Sequence, residues 1–310
     1  MKAIIINEFG DPDKLQISEV QKPVPADNQV LVRVKAAGLN PVDTKIRAGK
    51  HISCSSLQLP AVLGKDMSGI VEAIGKDVQR FQVGDAVFGC IDKTYAEYVV
   101  ADEDAIAKKP VNISFEEAAA VSLAGFTAYQ AINDHLKVQS GQRILIQSAA
   151  GGVGHLAVQF AKINGAVVSG TASEKNAGFL EQIGVDQFID YRKEKFEDIV
   201  SDLDAVMDTM GGEILYRSIE SVKSGGRVVC LPSSTKDDPQ AIALARERGV
   251  ELIWFMMKPQ LDMLELMAEM LEREVLKVEV MEAYLMQDII MAHRAIESQH
   301  VRGKLVVKIN

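Results

Sequence analysis

Apolar positions divide the chain into two textures. Between residues 143 and 256, short apolar runs alternate with stretches whose apolar positions recur every three or four residues. The runs at residues 143–146, 167–172, 188–190, 205–208 (after Leu203), 227–231 and 250–256 predict six buried strands. Helical periodicity separates most of them, as at residues 173–183, where Phe179, Leu180 and Ile183 share a face. This alternation predicts an α/β unit with a doubly wound parallel sheet. Ligands of such sheets bind at the carboxyl ends of the strands, beside the point where strand order reverses.

The N-terminal texture is different. Residues 2–6, 30–36, 69–74, 85–88 and 95–100 read as short strands punctuated by glycine, proline and aspartate, which predicts an irregular, mainly β region. At Ser114 the pattern turns helical. Glu117, three residues on, completes a capping-box start, and a small-residue helix follows over residues 118–132. Residues 260–274 predict an amphipathic helix with Leu261, Leu264, Met267 and Leu271 on one face. Two strands, around Val278 and at residues 305–309, flank a further helix and rejoin the first region. The expected domains are therefore residues 1–118, with residues 258–310 returning, and residues 119–257 between them.

Composition narrows the function classes. A net charge of −9 opposes nucleic acid and anionic membrane surfaces as partners. No apolar run approaches the roughly 20 residues that cross a bilayer. The leading apolar stretch meets Glu8 and Asp11 too soon for a secretory signal. Cys54, Cys90 and Cys230 are too scattered for a metal pair or a disulfide framework, which predicts a reducing, cytoplasmic setting.

The candidate chemistry starts at residues 143–162, a strand, a glycine turn and an amphipathic helix in that order. Gly151 and Gly154 hold the second and third places of a G-x-G-x-x-G pattern, with Ala149 in the first. Alanine is tolerated there if the turn keeps a negative φ. Ala150, Gly151, Gly152, Val153 and Gly154 are expected to line a dinucleotide pyrophosphate against the helix N-terminus. An NAD site places an acid about 20 residues past the glycines. Here that place holds Ser173, followed by Glu174, Lys175 and Asn176. Ser173, Lys175 and Asn176 suit a ribose 2′-phosphate, and Tyr191 beyond the third strand adds a phenol hydroxyl. The expected cofactor is NADPH. Glu174 is the opposing signal, since a shift of one residue puts an acid in the deciding place.

Several motifs in order now carry a family resemblance. They are Ala-Gly-Leu-Asn-Pro-Val-Asp at residues 37–43, Leu-Gly-x-Asp-x-x-Gly at residues 63–69 and Val-Gly-Asp-Ala-Val-Phe-Gly at residues 83–89. Ala-Gly-Phe-Thr-Ala-Tyr at residues 124–129, the glycine turn, Gly-Gly-Arg at residues 225–227 and residues 300–306 continue the match. The chain resembles the zinc-free quinone oxidoreductase branch of the medium-chain dehydrogenase/reductase superfamily over essentially its whole length. The resemblance implies a GroES-like, mainly β catalytic domain built from both chain ends, with a Rossmann domain inserted. It also implies a nicotinamide in the cleft and a homodimer or tetramer, with edge pairing of the sixth strand as a common dimer mode. Thr127 is expected beside the nicotinamide, and Gly303 and Lys304 are expected to approach the cofactor from the C-terminal segment.

The zinc enzymes of this superfamily carry a cysteine near Asn40 and Asp43, and a Gly-His-Glu where Gly64, Lys65 and Asp66 stand. A lysine ammonium is a poor ligand, so no metal is expected. Without a Lewis acid, alkoxide stabilisation is lost, and reduction of a quinone or related conjugated carbonyl is favoured. Alkenal or enone double-bond reduction is the alternative, and a non-catalytic NADPH-binding sensor is a third reading of another class. Asn40 either donates to the growing oxyanion or fixes a turn before Pro41. Lys65 either polarises the acceptor and delivers a proton, or pairs with Asp66 or Asp43 as an ordinary charged side chain. Tyr95, Tyr129 and His155 are expected to be structural.

Overall fold

In the computed structural model, which describes residues 1–309, the chain forms two units. One comprises residues 1–126 and 259 onward, and the other residues 127–258. The first begins with β1 (Lys2–Ile6), β2 (Leu15–Glu19), β3 (Gln29–Gly38), helix α1 (Pro41–Arg47) and β4 (Ala61–Val62). It continues through β5 (Asp66–Ile74), β6 (Ala86–Cys90), β7 (Tyr98–Asp102) and β8 (Ile106–Lys108) into α2 (Phe115–Tyr129). The second unit holds β9 (Arg143–Ile146), α3 (Gly154–Ile163), β10 (Val167–Ala172), α4 (Ala177–Gln182), β11 (Gln187–Asp190) and β12 (Leu203–Asp208). It ends with α5 (Glu213–Glu220), β13 (Val222–Cys230), α6 (Pro239–Arg248) and β14 (Glu251–Ile253). Helix α7 (Leu261–Glu272), β15 (Val280–Leu285), α8 (Ile289–Glu297) and β16 (Lys304–Lys308) complete the first unit.

The first unit is mainly β. β1 pairs with β2 and β4, while a seven-stranded sheet runs β15-β16-β3-β5-β6-β8, with β7 also on β3. Val30, Val32 and Val34 alternate into one face of β3 and pack with Ile4, Met67, Tyr95, Leu305 and Val307. Burying each such side chain contributes about 1.5–3 kcal/mol. β16 pairs antiparallel with β3, so the C-terminal segment returns to the first unit.

The second unit is the doubly wound sheet. Its strand order is β11-β10-β9-β12-β13-β14, and every pairing is parallel. Order therefore reverses between β9 and β12, where the glycine turn leaves β9. Leu145, Ile189, Val206, Leu215, Ile219 and Val228 fill its core.

Several expectations change in detail. The predicted helix over residues 173–183 is a 3₁₀ turn at Glu174–Asn176 followed by α4. The sixth strand is only Glu251–Ile253, because it lies at the sheet edge with β13 alone to hold it. β13 starts earlier than expected, at Val222, and is irregular across Gly225 and Gly226, between the pairs Leu203–Val222 and Ala205–Arg227. Residues 41–47, to which the sequence reading gave no element, form a helix. Pro41 supplies a pre-set φ at its start, and the Asn40 N–H donates to Asp43 Oδ2 at 2.9 Å. Tyr95 precedes β7 as a fully buried loop residue.

Candidate functional site

The two units each present a polar constellation. In the first, one rung of the large sheet runs Val306–Gly38–Asp66–Cys90 across β16, β3, β5 and β6. Gly38 has no side chain, and a Cβ there would lie 3.0 Å from Asp66 Cβ and against the Ala119 carbonyl. The Asp66 carboxylate occupies that space. Its Oδ1 accepts from the Leu123 N–H at 2.8 Å and its Oδ2 from Asn40 Nδ2 at 2.9 Å. Lys304 lies two residues before Val306, on the same face of β16. Its ammonium donates to the Leu39 carbonyl at 2.8 Å and to Asn40 Oδ1 at 2.5 Å, and sits 3.7 Å from Asp66 Oδ2.

The Asn40 amide is thus oriented at both ends, oxygen to an ammonium and nitrogen to a carboxylate. It is 1% exposed. Asp43 completes the cluster, with Oδ2 accepting from the Asn40 N–H and from the Tyr95 hydroxyl at 3.1 Å. Asp43 Oδ1 is buried with no hydrogen-bond partner among the described residues. Burial, reinforced by the Asp66 charge, pushes the Asp43 carboxyl up to about 7. Burial also raises Asp66, against the pull of Lys304, and lowers the Lys304 ammonium. With one carboxyl protonated, the two acids and one ammonium are neutral together.

Lys65 lies outside this cluster. It pairs with neither acid, because Asp66 already bonds Asn40, Leu123 and Lys304, and Asp43 bonds Asn40 and Tyr95. Its ammonium pairs with Asp92, and the side chain is 29% exposed. Gly303 enters β16 at φ +60, where a Cβ would strike the Glu279 carbonyl. Both Gly303 and the Lys304 ammonium thus have work inside the first unit. Among the described residues, no group of three or more His, Cys, Asp or Glu side chains is placed to hold a metal ion.

The second constellation follows β9. The positive φ of the turn falls on Ser148 (+54), which leaves Ala149 in a conformation alanine accepts. Thr171 braces the turn from β10. Its carbonyl accepts from the Ala149 N–H at 2.9 Å, and its hydroxyl accepts from the Ser148 N–H at 3.0 Å while donating to Gln147 Oε1 at 2.7 Å. Gly154 starts α3 pressed against the strand end. A Cβ there would overlap the Ser148 carbonyl and come 2.9 Å from Ala149 Cα. Ala150 is buried, whereas Gly151, Gly152 and Val153 are half-buried at the helix start. Their backbone and the first-turn N–H groups form the narrow cradle a pyrophosphate fits. His155 is buried, with Nδ1 2.9 Å from the Gly151 carbonyl, in a structural place.

At the carboxyl ends of β10 and β11 lies a hollow of about 540 Å³ lined by Ser173, Glu174, Lys175, Asp190, Arg192 and Lys193. Ser173 and Asn176 are buried together, with Asn176 Nδ2 3.4 Å from Ser173 Oγ. Lys175 is exposed, and Tyr191 is 54% exposed. Arg192 stands over the Tyr191 ring at 5.7 Å, and Lys193 reaches Glu174. Sequence reasoning missed Arg192 and Lys193, although they follow Tyr191 directly off a strand end. Thr127 is half-buried on α2, which enters the second unit.

The comparisons with known proteins fit this geometry. A family model described as alcohol dehydrogenase GroES-like domain matches residues 26–111, and one described as zinc-binding dehydrogenase matches residues 183–307. A quinone oxidoreductase of Sus scrofa is 34% identical over 289 residues, spanning 82% of this chain and 87% of that protein. The chain belongs to the quinone oxidoreductase branch of the medium-chain dehydrogenase/reductase superfamily. A 2-methylene-furan-3-one reductase of Solanum lycopersicum is 40% identical over 245 residues, 74% of this chain and 62% of that protein. The structure of the quinone oxidoreductase from Coxiella burnetii aligns with a TM-score of 0.94 at 36% identity, covering 100% of this chain and 99% of that one. The Escherichia coli quinone oxidoreductase complexed with NADPH aligns with a TM-score of 0.91 at 27% identity, over 100% of both chains. This quinone oxidoreductase-like chain is an oxidoreductase with a nicotinamide cofactor and a small-molecule substrate. Among the described residues, no helix is long and apolar enough to cross a membrane.

Proposed function

We propose that the protein is a zinc-independent, NADPH-dependent reductase of quinones or related conjugated carbonyls, working as a cytoplasmic homodimer. The observation that carries the cofactor choice is the hollow beyond β10. It offers Lys175 and Arg192, with neither cation in an ion pair among the described residues, and its one highly exposed carboxylate, Glu174, is already bonded to Lys193. Bound NADPH supplies the hydride. The glycine cradle of Ala150–Gly154 holds the pyrophosphate, while Ser173, Lys175, Asn176, Tyr191 and Arg192 receive the ribose 2′-phosphate.

Reduction places negative charge on the acceptor's carbonyl oxygen, so a donor near that oxygen lowers the barrier. Lys65 is assigned this polarising role, since its side chain keeps partial exposure and its ion-pair partner, Asp92, is at the surface. Asn40 supports it with the amide hydrogen that Asp66 does not use. The absence of a metal from this reading rests on the donor set. The cation among Asn40, Asp43 and Asp66 is the Lys304 ammonium, and among the described residues no three His, Cys, Asp or Glu ligands converge. The likeness to a furanone reductase favours a second reading, reduction of an enone carbon–carbon double bond.

The test is NADPH and NADH oxidation by metal-chelated protein with quinones and enones in parallel. We expect NADPH-dependent quinone turnover that survives chelation and falls at least about tenfold in Lys65→Met, with NADPH affinity retained. Turnover of enones alone selects the second reading. Turnover abolished by chelation overturns the zinc-free proposal, and an unchanged Lys65→Met overturns the role of Lys65.

A further inference from the structure

The hollow beyond β10 and β11 shares its charges unequally. Lys193 Nζ is 2.7 Å from Glu174 Oε2 and 4.0 Å from Asp190 Oδ2, so a single ammonium faces both carboxylates. Among the described residues, Lys175 and Arg192 pair with neither. The backbone sets this arrangement. The Asp190 carbonyl accepts from the N–H groups of Lys193 at 2.9 Å and Glu194 at 3.0 Å, and Asp190 Oδ1 accepts from the Arg192 N–H at 3.1 Å. The turn after β11 thereby holds Lys193 where its side chain reaches Glu174, just past the end of β10.

We propose that Lys193 is a specificity-determining residue: by neutralising Glu174 it disables the acid that would select an unphosphorylated ribose. This rests on the NADPH reading. A free carboxylate at this place does two things. It accepts a hydrogen bond from a ribose 2′-hydroxyl, and it repels a 2′-phosphate. With Lys193 bound to it, Glu174 does neither well, and Lys175 and Arg192 are left for the phosphate. The guanidinium of Arg192 offers the planar fork that phosphate oxygens match. Glu174 and Lys193 are 70% and 61% exposed, so the ion pair itself adds little to folding stability. Its consequence is the potential met by an incoming dianion, which makes it sensitive to salt.

The test measures dissociation constants of NADP⁺ and NAD⁺ by titration calorimetry for the wild type, Lys193→Met, Glu174→Gln and the double variant. Lys193→Met should lower the preference for NADP⁺ over NAD⁺ about 5–10-fold at low ionic strength, and by less in about 0.5 M salt. The double variant should return to within about twofold of the wild-type ratio, because the acid that Lys193 restrains is gone. A wild-type preference for NADP⁺ that Lys193→Met leaves unchanged overturns the inference alone. So does a double variant as impaired as Lys193→Met, which would make Lys193 a direct phosphate ligand. A wild-type preference for NAD⁺ overturns the NADPH reading and this inference with it.

Discussion

Asp43 shows what burial does to one residue. Its carboxyl is raised to about 7 in the fold against an ordinary value of 3.8, so the folded state binds more protons than the unfolded chain between those pH values. Stability from this group is complete below the lower value and is lost as pH rises through the upper one. In Asp43→Asn the amide oxygen can still accept from the Asn40 N–H and the Tyr95 hydroxyl, but nothing ionises. Denaturant unfolding at pH 5 and pH 8 should show the variant gaining about 3 kcal/mol relative to the wild type at the higher pH. A pH-independent difference between the two proteins would remove Asp43 as the titrating group. Little of this was legible in the sequence. The motif around Asn40 and Asp43 was visible, and so was Lys304, but no local pattern says that an ammonium 264 residues after Asn40 sits on its amide. Long-range register across β16, β3 and β5 makes that contact, and register is a property of pairing rather than of any one strand.

Elements were more legible than residues. The glycine turn between β9 and α3 was readable because its chemistry is local: strand, small residues and helix follow one another in sequence. Gly154 is needed for closeness rather than for an unusual φ, since a Cβ there meets the Ser148 carbonyl and Ala149 Cα. Gly154→Ala should therefore lower stability by about 1–3 kcal/mol and weaken NADPH binding together, as α3 is pushed off the strand end. Thermal unfolding and cofactor titration check both effects, and a variant with unchanged Tm and affinity would refute the close-packing argument. Helix α1 was missed for the opposite reason. Its seven residues carry too little periodicity to outweigh an Asn-Pro turn signal, and its cap works through Asp43, which sequence reasoning treated as a possible partner for Lys65. The short β14 was overdrawn because apolar residues continue past the last ladder bond.

At the scale of the molecule, the open edge of β14 is the feature that bears on assembly. It has a neighbour on one side only, and Trp254, Phe255 and Met256 follow it partly or well exposed. Pairing two such edges would give each β14 a second neighbour, which is why a homodimer is proposed. Light scattering after size exclusion should give about twice 33.8 kDa, and a mass of one chain would exclude that assembly. The placement of Lys304 has a consequence in time as well as in space. The second unit is contained within residues 127–258, all of which are made before Lys304. Asn40, Asp43 and Asp66 are made early, yet the buried Lys304 ammonium comes 264 residues after Asn40. At about 5–20 residues per second, the ribosome takes roughly 13–53 s to deliver it. Until then the buried cluster of Asn40 and Asp66 lacks the cation that completes it, so that cluster closes only after the inserted residues have been made.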